Sequence, residues 1–322
     1  MRFIVRVAAA VLLGCVVAAC QPAGPSFRIH LVRYLDNSYT ESFEQGLKAG
    51  LLQAGLADGR DYALRSRSAQ GDMSTLTTLI DSAKSDGTSL LITFQSPTLF
   101  TAIQRAPDVP KVFTLLQNPF LLGAGTSDAD HIPNLTGLYL VPPFEEMVSA
   151  VTAVRPPITT LGTVYFAGND DSVFRKDELV RIAGEKGVSV VAEGYTSLDE
   201  IAPAVDVLMS KAPGAVVHLQ DPAQDATFPL LYRRASSRRI PVLSAVYNME
   251  KLGASLVYST DRDEVGRRFA DIVARIVKGD SPSSMPFQND RDLPKRVGYS
   301  RAAADAAGFT LPASVLQQAG TN

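Results

Sequence analysis

Hydrophobic positions follow two alternating patterns along this chain, and together they predict strands and helices in turn. Short apolar runs such as 90–94 are typical of buried strands, whereas apolar residues spaced three or four apart, as in 264–277, indicate amphipathic helices. The predicted strands are 27–32, 62–67, 90–94, 112–116, 161–166, 188–193, 215–219, 241–246 and 256–260. The predicted helices are 42–54, 73–84, one opening at Pro97, 144–154, 172–185, 201–209, 227–236 and 264–277.

Strands that alternate with helices predict βαβ units and parallel sheets. The series occurs twice, and Pro142 and Pro143 separate the two runs, so we expect an α/β fold of two similar, Rossmann-like lobes. The strand and helix that end the second series would return the chain to the first lobe through hinge strands. The predicted domains are a first lobe of residues 27–141 plus 259–281 and a second lobe of residues 142–258 plus 282–322.

The first twenty residues have the pattern of an export signal. A start with two arginines precedes an apolar run at 7–19, which is shorter than the roughly 20 apolar residues needed to span a bilayer. Two alanines then stand directly before Cys20, an ending that resembles a bacterial lipobox. We predict a lipoprotein signal peptide at 1–20, lipidation of Cys20, and a domain tethered to a membrane in the periplasm or cell envelope. A second lipobox ending at Cys15 and cleavage without lipid stay open as alternatives.

Composition narrows the class of function. A net charge of −2 gives no strong attraction to nucleic acid. Both cysteines lie in the signal segment, and His30, His131 and His218 are not paired at ligand spacing, so we expect neither a metal site nor another cofactor. The sequence has no G-x-S-x-G elbow, P-loop or G-x-G-x-x-G motif, which favours a binding protein over an enzyme.

Short motifs in a fixed order resemble one known family. They are EQGLKAGLLQAGL at 44–56, AQGD at 69–72, SPT at 96–98, VFT at 112–114, NP at 118–119, NLTGL at 134–138, IPV at 240–242 and IVKGDSP at 276–282. Their order over nearly the whole exported chain resembles the ABC-transporter substrate-binding proteins of the tryptophan and aromatic amino-acid type. The resemblance implies the type I periplasmic-binding fold, a Venus flytrap whose lobes close on a small solute. It also implies delivery to a permease with its ATPase, and we expect a monomer.

Ligands of parallel sheets bind beyond the carboxyl ends of the strands, so the loops there supply candidate binding residues. In the first lobe, the helix start at Ser96, Pro97 and Thr98 offers backbone N–H groups to a ligand carboxylate. Ser96 could instead be only an N-cap. Asn118 stands where the family usually has aspartate, which would weaken a contact to an ammonium group, and Asn-Pro could equally form an ordinary turn.

Two acidic loops of the second lobe are also candidates. Asp171 and Ser172 match a family loop that reads Gly-Glu-Ala-Asn-Ser, although Asp171 would also suit an N-cap. Asp221 matches a family aspartate, and a carboxylate in a half-desolvated cleft suits an α-ammonium group. Pro222 replaces a polar family residue beside it, and Asp221 could also be an ordinary turn residue.

The remaining candidates are Asn37, Tyr39, Tyr247 and Asp261, which all follow predicted strands. Tyr39, Tyr247 and Phe94 could stack on an aromatic ligand or lie in the core. Asp261 matches another family aspartate and could equally cap the helix that follows it.

These observations predict a lipid-anchored substrate-binding protein of an ABC importer. The expected ligand is a small zwitterion or carboxylate, amino-acid-like, with an aromatic or apolar side chain. Three alternatives stay open: a lipoprotein that senses a ligand and signals to a membrane receptor, an envelope enzyme on the same fold, and a structural lipoprotein with a degenerate cleft. The departures at Asn118, Pro222 and the loop 37–39 keep the last of these open.

Overall fold

The computed structural model describes residues 25–154, 156–221 and 223–319, and these form two α/β lobes. The first series of elements is β1 (Arg28–Arg33), α1 (Ser38–Gln53), β2 (Ala63–Ser68), α2 (Met73–Ser85), β3 (Leu90–Phe94), α3 (Ser96–Arg105), β4 (Lys111–Thr114) and β5 (Leu135–Tyr139). The second series is α4 (Phe144–Ala153), β6 (Thr160–Phe166), α5 (Asp170–Glu185), β7 (Ser189–Tyr195), α6 (Ile201–Ser210), β8 (Ala215–His218), α7 (Gln224–Ser236), β9 (Val242–Ser244) and β10 (Leu256–Thr260). The chain continues with α8 (Arg262–Val277), β11 (Gln288–Asn289), β12 (Lys295–Tyr299), α9 (Arg301–Ala307) and α10 (Ala313–Gln318).

The first lobe has a six-stranded parallel sheet in the order β11-β5-β4-β3-β1-β2. Helices cover both faces, so the central strands β3 and β4 are buried on both sides, and β3 is an apolar run. Side chains alternate across β1: Ile29 and Leu31 face the α1 and α8 cluster, whereas Val32 faces the α2 cluster.

The second lobe repeats this plan in the strand order β12-β10-β9-β8-β6-β7. Its strands are parallel except for β12, which pairs antiparallel with β10. Leu161 and Leu179 belong to one core cluster and Val205 and Leu231 to another, with α9 and α10 joining the first of these.

Helix α8 completes the core of the first lobe, although it follows the second series in sequence. The ring of Phe269 lies 5.6 Å from that of Phe43 and 6.2 Å from that of Phe94. A Cβ added at Gly50 of α1 would lie 2.4 Å from the Cβ of Ala270, closer than side chains can approach. Glycine therefore permits the close packing of α1 on α8.

The chain crosses between the lobes three times, after β5, after β10 and after β11. The buried Asp290 carboxylate joins all three crossings: Oδ1 accepts from the Val141 amide at 2.7 Å, and Oδ2 accepts from the Thr260 hydroxyl at 2.5 Å. Lys295 adds bonds to the Asp290 carbonyl at 2.8 Å and to the Thr260 hydroxyl at 3.1 Å. We call this group of four residues the crossover clamp.

Most of the predicted elements are present, and β3 and β10 have the predicted bounds. Helix α1 begins before the predicted residue 42, because Asn37 caps it. The strands β5, β11 and β12 and the helices α9 and α10 were not predicted. Residues 282–293 were expected in the second lobe, but β11 pairs with β5 and Met285 is buried in the core of the first lobe.

Residues 259–260, expected in the first lobe, belong to β10 of the second sheet, and the other domain bounds remain predictions. The signal peptide and Cys20 lie outside the described residues. Within the described part of the chain, no helix is both long and apolar enough to cross a bilayer.

A candidate ligand-binding cleft between the lobes

Two cavities of about 50 Å³ each lie between the lobes. They share Tyr39, Arg175 and Gln220 in their walls. We call one the hinge cavity, which the crossing segments line through Val141, Pro142, Ser259, Thr260 and Asp290. The other, the acidic cavity, is lined by Asn37, Gln95, Pro97, Asn169, Asp171, Asp221 and Gln224 among others.

A row of aromatic rings and guanidinium groups crosses the hinge cavity. The Arg262 guanidinium lies 4.6 Å from the centre of the Tyr39 ring and 4.8 Å from that of the Tyr247 ring. Arg296, which is ion-paired with the buried Glu250, also lies 4.8 Å from the Tyr247 ring. Cation–π attraction fixes Arg262 between a tyrosine of the first lobe and one of the second.

Arg175 lies in the wall between the two cavities and is only 6% exposed. One of its terminal nitrogens donates to the backbone carbonyl of Gln220. Burial lowers the pKa of the Arg175 guanidinium, while the charges of Asp171 and Asp221 oppose that effect. Its Nε has no hydrogen-bond partner among the described residues.

Asp221 is the buried acid of the acidic cavity. Its carboxylate accepts from the Tyr195 hydroxyl at 2.9 Å and from the Ala223 amide at 2.8 Å. Burial raises the pKa of Asp221 to about 6, against the opposing effects of the Tyr195 hydrogen bond and the Arg175 charge. The carboxylate is therefore costly to ionise unless a cation joins it.

A hydrogen bond closes the acidic cavity across the two lobes. The Ser96 hydroxyl at the start of α3 donates to Oδ2 of Asp171 at the start of α5, at 2.5 Å. The Thr98 amide donates to the Gln95 carbonyl at 3.2 Å, and Pro97 has no N–H. The Ser96 hydroxyl of the predicted carboxylate site therefore already donates to a carboxylate of the protein itself.

Several predicted binding residues line the cavities: Asn37, Tyr39, Pro97, Asp171, Asp221 and Tyr247. Asn37 is also the N-cap of α1. Phe94, in contrast, is fully buried in the core of the first lobe. The rings of Tyr39 and Tyr247 both contact the Arg262 guanidinium in this conformation.

Other predicted residues have local structural partners. Asn118 caps the short 3-10 turn that follows β4, accepting from the Phe120 amide at 3.1 Å. Ser172 is buried and accepts from the Phe166 amide at 2.9 Å. Asp261 caps α8. Thr98 is fully buried, and Pro222 lies outside the described residues.

The sequence analysis missed Arg175, Arg262, Gln117 and Asp290. Arg175 lies inside a predicted helix rather than in a loop after a strand, so the strand-end rule did not select it. Arg262 directly follows Asp261, a predicted binding residue, and this proximity is the one feature of the sequence that points to Arg262.

The described residues contain no group of three or more His, Cys, Asp and Glu side chains that could hold a metal ion. Burial lowers the pKa of His218 to about 4, and its ring contacts Ser244 and the backbone of Gln224. This histidine is therefore a neutral core residue.

Comparison with known proteins gives a family match that runs through both lobes. The family model described as ABC transporter substrate binding protein matches residues 29–322. The tyrosine-binding protein of Clostridioides difficile strain R20291 is 20% identical over 258 residues, which are 80% of this chain and 74% of that protein.

Two solved structures share the architecture. The ABC domain from Streptococcus pneumoniae in complex with L-Trp has a TM-score of 0.82 and 21% identity, covering 91% of this chain and 98% of that chain. The ligand-free, open structure of CD0873, a substrate binding protein with adhesive properties from Clostridium difficile, has a TM-score of 0.69 and 21% identity, covering 89% and 96%. These likenesses confirm the predicted fold of two α/β lobes with mostly parallel sheets.

Proposed function

The chain belongs to the ABC transporter substrate-binding protein family, and we propose that it captures an amino-acid-like ligand by closing its lobes on it. The match confirms the predicted family, whose members are substrate-binding proteins rather than enzymes and act outside the cytoplasm. The relatives named above bind tyrosine and L-Trp, which makes these two amino acids the first ligands to consider.

The observation that carries the proposal is a set of buried polar atoms in the walls of the cleft. The side-chain oxygens of Gln117, Gln224 and Ser259 and the Nε of Arg175 have no partner among the described residues. Buried polar groups are almost always hydrogen-bonded, so such atoms around shared cavities indicate a bound polar ligand.

The charges in the cleft suit a zwitterion. Asp171 and Asp221 line the acidic cavity, and Arg175 and Arg262 line the hinge cavity. An amino acid that spans the two cavities would meet a carboxylate at one end and a guanidinium at the other. Charge-assisted hydrogen bonds of this kind are the strong ones.

Closure follows from contacts that form only when the lobes meet. The Ser96–Asp171 hydrogen bond and the packing of Arg262 on Tyr247 are two of them. A ligand that contacts both lobes adds to this set and shifts the population toward the closed form. Rotation would occur at the three crossings, which the crossover clamp holds together.

Delivery to a permease with its ATPase, and lipid anchoring through Cys20, complete the proposal. The family match and the lipobox-like ending support these two steps. Replacing Cys20 with serine should release the full-length protein from the membrane fraction, and unchanged fractionation would contradict the anchor.

Thermal unfolding with added amino acids tests the proposed ligand class. A ligand at 100 times its dissociation constant stabilises the folded state by about 2.7 kcal/mol, so L-tyrosine or L-tryptophan should raise the melting temperature by several degrees. The chain has no tryptophan, so L-tryptophan fluorescence reports its binding directly. Matched D-amino acids are the controls. No response to any amino acid, together with stabilisation by a neutral sugar, would contradict the proposal.

A further inference from the structure

We infer that the hinge cavity is an anion subsite in which Arg175 of the second lobe and Arg262 of the first hold the carboxylate of the ligand. This inference rests on the proposed function and assigns the two ends of the ligand to separate cavities. The carboxylate lies at the hinge, and the ammonium group lies toward Asp171 and Asp221.

The guanidinium of Arg175 has no ion-pair partner of its own. No carboxylate among the described residues lies within 4.0 Å of it. Asp171 is hydrogen-bonded to Ser96, and Asp221 to Tyr195. Asp171 and Asp221 act on the Arg175 charge only from beyond ion-pair distance, and its Nε has no hydrogen-bond partner among the described residues. The guanidinium can therefore still bind an anion directly.

The guanidinium of Arg262 is in a similar position. Its one side-chain hydrogen bond to a described residue is to the Ser42 hydroxyl, at 2.7 Å, and its buried Nε has none. The two tyrosine rings fix the guanidinium but leave its charge unneutralised. Arg262 is thus held in place with a free donor edge.

The remaining wall of the hinge cavity does not neutralise these two charges. Of the described residues that line it, Asp290 alone is acidic, and both of its oxygens already accept hydrogen bonds in the crossover clamp. The other polar lining groups are neutral, among them Gln117, Gln220 and Ser259.

Two guanidinium groups from opposite lobes therefore face one small cavity. A ligand carboxylate between them can accept from both planar forks at once. Because these contacts come from both lobes, they favour the closed form. The Ser96 hydroxyl at the start of α3 is not available for this role, because it already donates to Asp171.

Titration calorimetry with matched probes tests the inference. The probes are L-tyrosine and L-tryptophan, their amines tyramine and tryptamine, and the corresponding aryl-propionates, which lack the ammonium group. Wild-type protein should bind each amine about thirtyfold or more weakly than its amino acid, the lower range for truncating one partner of a buried charge pair. Arg175→Gln and Arg262→Gln should each weaken amino-acid binding to a similar extent but leave the weak binding of the amines nearly unchanged.

Each arginine has an exposed control on its own helix. Arg181→Gln on α5 and Arg267→Gln on α8 remove the same charge from surface ion pairs and should leave every affinity within about twofold. Thermal melts verify that the variants fold. If Arg175→Gln does not fold, Arg262→Gln alone decides.

The possible outcomes distinguish a failure of the anion-subsite inference from a failure of the proposed function. Equal losses for amino acids and amines in the arginine variants would show a structural role and overturn the inference. Wild-type protein that binds tyramine as tightly as L-tyrosine would overturn it as well, while leaving the proposed ligand class intact. If an aryl-propionate binds but the corresponding amino acid does not, the result supports the subsite and contradicts the amino-acid proposal. Failure of every carboxylate-bearing probe would overturn both.

Discussion

The two cavities of the cleft each hold one buried aspartate, and each aspartate accepts a hydrogen bond at both carboxylate oxygens. Asp290 of the hinge cavity has both oxygens paired with groups of the crossing segments. Asp221 of the acidic cavity is almost as buried, yet burial raises its pKa to about 6. The comparison teaches that one carboxylate stabilises the fold, while the other carries a cost that a cationic ligand would remove.

The largest expected effect is on the hinge side. Asp290→Ala leaves the Val141 amide and the Thr260 hydroxyl without their acceptor, and buried donors lost in this way cost about 1–3 kcal/mol each. We expect the free energy of unfolding to fall by about 3 kcal/mol, measured by urea denaturation. Asp292→Ala, in an exposed pair with Arg268, is the control and should change it by less than about 1 kcal/mol. If Asp290→Ala and Asp292→Ala lowered the unfolding free energy equally, Asp290 would have no special role in stabilising the fold.

Asp221→Asn should stabilise the folded protein at neutral pH, in contrast to Asp290→Ala. A raised pKa means that the folded state holds its proton to higher pH than the unfolded chain does, whose ordinary value is 3.8. The stability from Asp221 is then fully present below about pH 4 and is lost as pH rises through about 6. Relative to wild type, the asparagine variant should gain roughly 2 kcal/mol of unfolding free energy between these limits.

Urea unfolding measured from pH 4 to pH 7 checks this prediction, with the exposed Asp225→Asn as the control. The same Asp221→Asn variant should bind an amino acid more weakly, because it has lost the negative charge. If the difference in unfolding free energy between variant and wild type does not change with pH, ionisation of Asp221 does not destabilise the folded state, and the prediction is wrong.

The smallest effect is expected at the contact between the lobes. Ser96→Ala removes the hydrogen bond that joins the two lobes at Asp171, worth about 1 kcal/mol. The ligand-free variant should therefore open more often, and small-angle scattering should give a larger radius of gyration. Ser74→Ala on the exposed start of α2 is the control. A variant as compact as wild type would show that this contact does not bias closure.

The alternating pattern was enough to predict two α/β lobes, because buried parallel strands read as apolar runs. It missed β5 and β12, whose apolar positions are interrupted by Gly137 and Gly298. The strand-end rule located Asp171, Asp221 and Tyr247, since it depends only on strand direction.

The same rule could not separate residues that line the cavities from helix caps. Asn118 and Asp261 also follow strands, but their side chains turn back to the backbone of the next helical turn. The position of Arg262 is set by its contacts with Tyr39 and Tyr247, which are far apart from each other in sequence. A local sequence pattern cannot reveal such contacts.

The first lobe also has a consequence for the order in which the protein can form. Its α1 face, with Phe43 and Leu47, is covered by α8, which begins only at Arg262, after most of the second lobe. During synthesis from the amino terminus that apolar face stays uncovered until α8 is made, and folding must then close a very long loop. The first half of the chain therefore does not encode a self-sufficient lobe, and a chain cut before α8 would leave the apolar face of α1 exposed.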